Sequence, residues 1–309
     1  MSLLVVGSVA FDSVKTPFGE VEDILGGSAT YFSTSASYFT DVNLVAVVGE
    51  DFPSQHINFL KSRGINTEGL EKQSGKTFRW KGEYGFQLNE AHTLETHLNV
   101  FQNFKPALPS SYKNTEGVFL ANIDPELQID VLKQVKSPKI IACDTMNFWI
   151  SGKRDSLINT LRHVDILIIN DGEARQLAQE ANLVKAARII RSYGPKHLIV
   201  KRGEYGALMF NSQSTFAAPA YPMENVFDPT GAGDSFAGGF MGYLLNTMNF
   251  SEANMRQAVI FWSVMASFVV EDFSLNRIKA LDYEEILKRY REFKQLTHFE
   301  EPADVFNQS

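Results

Sequence analysis

Cysteine is nearly missing from this sequence: Cys143 is the only one in 309 residues. A lone thiol cannot close an intramolecular disulfide and has no cysteine partner for a zinc cluster. That excludes disulfide-stapled and Cys-rich zinc classes and suits a reducing, cytoplasmic setting. Basic charge is in deficit as well, with 29 Lys and Arg against 36 Asp and Glu, for a net charge of −7. No global attraction to nucleic acid or to an anionic membrane follows, although a local cationic pocket remains open. Long apolar runs are also lacking. The most apolar stretch, Ala258 to Val270, is interrupted by Ser263 and Ser267 and falls short of the ~20 residues that span a bilayer, so a buried helix is expected there. Met1 to Gly7 carries neither the basic lead nor the apolar length of a secretion signal and reads as a first buried strand. There is no fixed-period repeat and no low-complexity tract.

What is present is apolar residue enough, 44% of the chain, to enclose a large core. Its distribution is rhythmic. Short runs rich in Val, Ile and Leu occur at Leu3 to Val6, Leu44 to Val48, Gly117 to Leu120, Ile140 to Cys143, Ile166 to Ile169 and Leu198 to Lys201. Between them, Ala29 to Phe39, Ser54 to Ser62, Pro125 to Lys133 and Glu173 to Ala181 have helical spacing or composition; further helices open near Gly231 and at Ser251-Glu252. Strands of this kind alternating with helices predict an α/β fold with a mainly parallel sheet covered on both faces. One stretch breaks the rhythm. Thr77 to Tyr84 alternates with period two, placing Phe78, Trp80 and Tyr84 opposite Thr77, Arg79, Lys81 and Glu83. His92 to Phe101 does the same with Leu94, Leu98 and Val100, which predicts a small separate sheet with two apolar faces in need of a cover. The cover is expected to be either a bound substrate or a second subunit, in which case the small sheet makes a homodimer.

The most chemically informative segment is Asp228-Pro229-Thr230-Gly231-Ala232-Gly233-Asp234. Two glycines around one small residue let backbone N–H groups approach an anion without obstruction, and a helix beginning there adds unpaired donors and the positive end of its dipole. An acidic side chain at the rim of an anion cradle would repel the anion. Asp234 is therefore better placed to take a proton from an attacking hydroxyl than to bind the anion. The plain alternative is an acidic first-turn residue beside glycines used for packing.

These residues resemble the C-terminal signature of the ribokinase-like (PfkB) carbohydrate kinase family, Asp-x-x-Gly-Ala-Gly-Asp. The resemblance extends to Gly7-Ser8-Val9-Ala10-Phe11-Asp12 after the first strand, to the glycine pair Gly26-Gly27, to Asn170-Asp171-Gly172-Glu173, and to the hairpin Lys201-Arg202-Gly203-Glu204-Tyr205-Gly206. All occur in family order, and Ala258 to Val270 falls where members close the adenine pocket. The resemblance implies one three-layer α/β/α kinase domain over residues 1–309, with a β-sheet lid from about 13–25 and 66–104. It implies transfer of the ATP γ-phosphoryl group to a hydroxymethyl group, with magnesium as cofactor and potassium as an optional one. By the same resemblance Asp234 is the base, and Gly231, Ala232 and Gly233 form the anion hole. Asp12, Gly26, Gly27, Tyr31 and Arg79 meet the substrate. Asn170, Glu173, Lys201, Gly203 and Gly206 lie by the nucleotide. Glu173 organises magnesium through water, and Asp228 lies near a monovalent cation.

Taken alone, Asn170 and Glu173 also satisfy a helix capping box, and the Lys201–Gly206 stretch an ordinary turn. Tyr31 departs from the family, which often has Asn there, and so leaves the substrate open. A sugar read by Asp12 and Arg79 is the leading expectation, with Trp80, Asn122 and Asn147 as further contacts. A nucleoside acceptor and a catalytically silent ligand-binding member are the alternatives. A nicotinamide dinucleotide enzyme is disfavoured, because Gly7 is followed by Ser-Val-Ala-Phe-Asp rather than Gly-x-Gly-x-x-Gly. After Tyr283 a helical segment and a polar tail carry no assignable chemistry.

Overall fold

The structure, a computed structural model, describes residues 1–298 and 300; the end of the polar tail lies outside the described residues. In chain order the strands are β1 (Ser2–Val6), β2 (Ala10–Thr16), β3 (Gly19–Gly26), β4 (Asp41–Gly49), β5 (Ile65–Gln73), β6 (Phe78–Tyr84) and β7 (Ala91–His97). They continue with β8 (Gly117–Leu120), β9 (Ile140–Asp144), β10 (Ile166–Asn170), β11 (His197–Lys201), β12 (Ala207–Phe210) and β13 (Thr215–Ala218).

Nine of these form one sheet in the order β13-β12-β11-β10-β9-β8-β1-β4-β5. Neighbours from β11 to β5 pair in parallel, and only the β11–β12 and β12–β13 pairings at one edge are antiparallel. The parallel strands are continuous apolar runs because both faces are covered. Leu3, Val5, Leu44 and Ala46 point to a core shared with helices Ser28–Ala36, Ala232–Thr247 and Glu252–Val269. Leu4, Val6, Val45 and Val47 point to a second core under helices Arg154–Leu161, Asp171–Ala178 and Leu183–Ser192. The result is the expected three layers. The long apolar helix is one of those in the first core, and among the described residues no helix is long and apolar enough to cross a membrane.

The pairing of helix Ser28–Ala36 with helix Ala232–Thr247 matters most for the site. Gly238 and Gly239 let the helices approach closely: a Cβ on Gly238 would lie 2.3 Å from the Phe32 carbonyl oxygen. The Ser35 hydroxyl donates across the seam to the Ser235 carbonyl at 2.6 Å. At its start, helix Ser28–Ala36 is tied to the end of β1, where the Ser8 hydroxyl and carbonyl accept the Ser28 and Ala29 N–H groups, each at 3.0 Å. Two glycine-flanked helix starts are thereby fixed beside the carboxyl ends of the strands, where parallel sheets bind ligands.

The smaller sheet has the order β3-β2-β6-β7, with β2 and β6 parallel and the outer pairs antiparallel. It differs from expectation in three ways. It begins earlier, at Ala10. Residues 66–73 do not belong to it, since β5 pairs with β4 as an edge of the large sheet; its polar sequence concealed a strand because edges are blunted with charge. The second apolar face is also not built. A bulge in the β6–β7 pairing leaves Leu94 without a partner, β7 stops at His97, and Val100 sits in a short 3-10 turn instead.

Candidate active site

The strand register decides which side of the smaller sheet meets the site. Directly paired residues share a face, and β2 pairs with β6 as Ala10 with Phe78, Asp12 with Trp80 and Val14 with Gly82. Asp12, Trp80 and, by alternation, Tyr84 therefore line one face. Tyr84 reaches the glycine turn, where its phenol oxygen accepts from the Thr230 hydroxyl at 3.3 Å. Further along, the turn after β6 touches the Lys201–Gly206 hairpin: the Asn89 amide donates to a Glu204 carboxylate oxygen and accepts the Glu204 N–H, both at 3.3 Å.

Arg79 is on the other face and is not brought to this cluster. Its guanidinium pairs with Asp51 at 3.0 Å and with Asp23, and lies 4.9 Å from the centre of the Phe11 ring. Burial would raise the Asp51 carboxyl, but bonds from Thr77 and Arg79 hold it below its ordinary value. The group expected to read a sugar fastens the smaller sheet to the loop after β4 instead. Asn122 and Asn147 are also engaged elsewhere, Asn122 accepting from the Trp149 indole at 3.1 Å and Asn147 from the Phe148 N–H at 2.9 Å.

Asp12 is buried, and its Oδ2 accepts the Gly27 N–H at 3.3 Å. Gly26 is dictated by this carboxyl, because a Cβ there would stand 1.9 Å from the same oxygen. Burial raises Asp12 to about 7, the Gly27 bond opposes the shift, and Asp228 and Asp234 add to it. Gly231 caps helix Ala232–Thr247 in the left-handed region at φ 74°, and a Cβ on it would enter the Tyr31 ring at 2.3 Å. Tyr31 thus stands between Asp12 and the glycine turn. Its hydroxyl is buried without a hydrogen-bond partner among the described residues, and burial, then Asp12 and Asp228, push its pKa well up.

The Ala232 N–H donates to the Pro229 carbonyl at 3.2 Å, so Ala232 does not offer its amide to an anion as expected. The amides of Gly231, Gly233 and Asp234 have no protein acceptor among the described residues. Asp234 follows in the first helical turn, raised to about 7 by burial and by Asp144, against the pull of Lys201. Both Asp228 oxygens are taken by backbone, one by the Thr230 N–H at 2.9 Å and the other by the Ser274 N–H at 3.3 Å. This arrangement organises the turn.

On the other side, Lys201 at the end of β11 meets Asp144 at 3.1 Å, and its Nζ lies 3.1 Å from where a side chain on Gly233 would begin. Asn170 and Glu173 do form the capping box, with bonds of 2.7 and 2.8 Å. Glu173 is nevertheless raised to about 7 by burial, with Lys201 opposing and Asp144 and Asp234 reinforcing. The capping reading of that motif is thus built, and the same carboxyl is perturbed by its surroundings. Three amides without a protein acceptor, a half-buried ammonium and a carboxyl that can gain a proton near neutrality make a site for moving a phosphoryl group to an alcohol.

The family model for pfkB family carbohydrate kinases matches residues 3–279. The chain belongs to the PfkB family. The kinase is 31% identical over 254 residues to the cytidine kinase of Thermococcus kodakarensis, covering 79% of this chain and 88% of that one. The Burkholderia thailandensis nucleoside kinase in complex with ADP-inosine has the same fold, with a TM-score of 0.78 at 16% identity over 99% of this chain and 100% of that one. A putative ribokinase II from E. coli in complex with ATP and magnesium is similar at a TM-score of 0.76 and 18% identity, over 94% and 99% of the two chains. This PfkB member is a kinase acting on a nucleoside or a sugar.

Asp144 is the site residue that sequence reasoning missed. The predicted strand ended one residue before it, at Cys143, although a carboxylate at the carboxyl end of a parallel strand was a signal that could have found it.

Proposed function

We propose that this kinase transfers the ATP γ-phosphoryl group to the primary hydroxyl of a nucleoside. The observation that carries the reading is the shared face of the smaller sheet, where Asp12 stands beside Trp80 and Tyr84, the latter bonded to the glycine turn. A carboxylate reads a ribose diol by accepting two hydroxyl protons, while aromatic rings favour a flat base over a free sugar that offers mostly hydroxyls. Arg79, on which the sugar reading leaned, faces away. The likeness to a cytidine kinase points the same way.

In the proposed reaction Asp234 accepts the proton of the acceptor hydroxyl as its oxygen bonds to the γ-phosphorus. The bond from phosphorus to the β–γ bridging oxygen breaks, and ADP leaves. The free amides of Gly231, Gly233 and Asp234 and the Lys201 ammonium face the charge on the transferring group. The smaller sheet is the lid: Tyr84 and Asn89 bridge it to both halves of the site and exclude water. Among the described residues no three His, Cys, Asp or Glu side chains gather to hold a metal alone. Magnesium would be held mainly by nucleotide phosphates and water, and Glu173 is the residue that would hold it through water. Bound there, the ion would supply neutralising charge. A second copy meeting through the lid would use the exposed strand β7 and the exposed Leu94 and Leu98.

Two measurements check this. In a panel of nucleosides and free sugars, ATP consumption should be fastest with a nucleoside, and Trp80→Ala should raise the nucleoside KM by about tenfold, the loss expected for one aromatic contact. Faster turnover of a free pentose or hexose, with Trp80→Ala inert, would return the acceptor to a sugar. Separately, Glu173→Gln should raise the magnesium concentration for half-maximal rate by about tenfold. It should not lower the melting temperature, because Gln also completes a capping box and removes a carboxyl that burial raises to about 7. Coincident magnesium curves would leave Glu173 a cap only.

A further inference from the structure

We propose that Asp144 is a positioning residue for phosphoryl transfer, anchoring the Lys201 ammonium beside the glycine turn and keeping it off the Asp234 carboxylate. The topology makes the contact deliberate. Strand β10 lies between β9 and β11, so Asp144 and Lys201 stand at the ends of strands two places apart. Strand spacing separates their backbones by roughly 10 Å across the end of β10, a gap that needs a long side chain. Lysine closes it, at 3.1 Å from Oδ2.

The anchor is itself fixed. Asp144 Oδ1 accepts the Thr145 N–H at 2.7 Å, and the Asp144 carbonyl accepts from the side-chain amide of fully buried Gln128 at 3.1 Å. The same amide donates to the Ala121 carbonyl at 3.0 Å, which ties the end of β9 to the end of β8. A flexible ammonium thus acquires a defined position from a carboxylate that cannot follow it.

Three carboxylates compete for that one ammonium. Burial alone would lower the Lys201 pKa, but Asp144, Glu173 and Asp234, in that order, raise it above its ordinary value. Among the described residues only Asp144 holds it in a salt bridge. An ammonium that settled on Asp234 would stabilise the ionised carboxylate and so weaken it as a proton acceptor. It would also withdraw a positive charge from the transferring oxygens. Asp144 prevents both.

The inference rests on the kinase reading of the site and not on the identity of the acceptor. Asp144→Asn, Lys201→Met and the double variant are compared in kcat, acceptor KM, melting temperature and ATP dissociation constant, using whichever acceptor the wild type turns over. Asp144→Asn should lower kcat about 10- to 100-fold with acceptor KM within about twofold, and should change the Lys201→Met rate by less than about twofold. Retained kcat in Asp144→Asn, or losses that multiply in the double variant, overturn the proposal. A purely structural Asp144 would lower the melting temperature and add its full loss on top of Lys201→Met. If Asp144→Asn does not fold, the double variant still decides, because it leaves no unpaired buried charge. A rate equal to that of Lys201→Met supports the anchor, and a rate about tenfold lower overturns it. The same non-additivity is expected in the ATP dissociation constant. A wild type that binds ATP but turns over no acceptor would therefore defeat the kinase reading without silencing this test.

Discussion

Asp234→Asn should reduce kcat by about 10³-fold while leaving the ATP dissociation constant within about threefold of wild type. The side chain stands in the first turn of helix Ala232–Thr247, beside amides that attract anions, and it adds a negative charge to a site built for them. Asn keeps the shape and removes proton acceptance, so the loss falls on the step in which the hydroxyl proton moves. Binding of ATP keeps its amides and the Lys201 ammonium. The pH profile carries a second check. With the Asp234 carboxyl raised to about 7, the protein below neutrality holds it as the neutral acid, which cannot accept a proton. Activity of the wild type should rise with pH through about 7 and level above it, and in the Asn variant that limb should shrink to what Asp12 and Glu173, also raised to about 7, contribute. Near-normal turnover of the variant would remove Asp234 from the base role.

The parts of this site that were legible in the sequence are those whose chemistry is local. Gly231, Gly233 and Asp234 lie within four consecutive residues because a helix start builds an anion cradle from adjacent amides. Asn170 and Glu173 were readable for the same reason, as a strand end running into a capped helix. The large sheet was legible because both its faces are buried, which makes each inner strand a solid apolar run.

What escaped notice depends on partners distant in sequence. The strict alternation of Thr77 to Tyr84 correctly separated Arg79 from Trp80, but nothing local said which face meets the site. That follows from Asp12 pairing with Trp80, 68 residues later in the chain. Asp144 is meaningful only because Lys201, 57 residues later, reaches over β10 to it. Strand β5 is an edge, so its TEGLEKQ run carries no apolar signature. The bulge at Leu94 interrupts a pattern that otherwise promised a second apolar face. The glycine at position 26 was expected to make room for the substrate, yet it is the Asp12 carboxyl that excludes a side chain there.

Asp12→Asn should raise the acceptor KM by about 10²-fold and lower kcat much less, because the carboxylate reads hydroxyls away from the reacting oxygen. An amide accepts with only one atom and presents a donor to the second hydroxyl, which must turn to accept it, so two charge-assisted bonds are replaced by weaker neutral ones in an altered geometry. The same replacement should stabilise the free protein at about pH 8, and the sign follows from linkage. Folding raises the Asp12 carboxyl from its ordinary acidic value to about 7, through burial first and then through Asp228 and Asp234. Between about pH 4 and pH 7 the folded protein keeps a proton that the unfolded chain has released, so stability falls as pH rises through that window, and the whole deficit is present above it. Asn has no proton to lose. The melting temperature of the variant should therefore exceed that of wild type at about pH 8 and converge with it near pH 4, while acceptor binding is poor throughout. This would be a buried charge kept for binding at the expense of stability. A variant that is less stable at the higher pH, or one whose acceptor KM is unchanged, would show that Asp12 holds the turn at Gly26 and Gly27 together instead of reading the substrate.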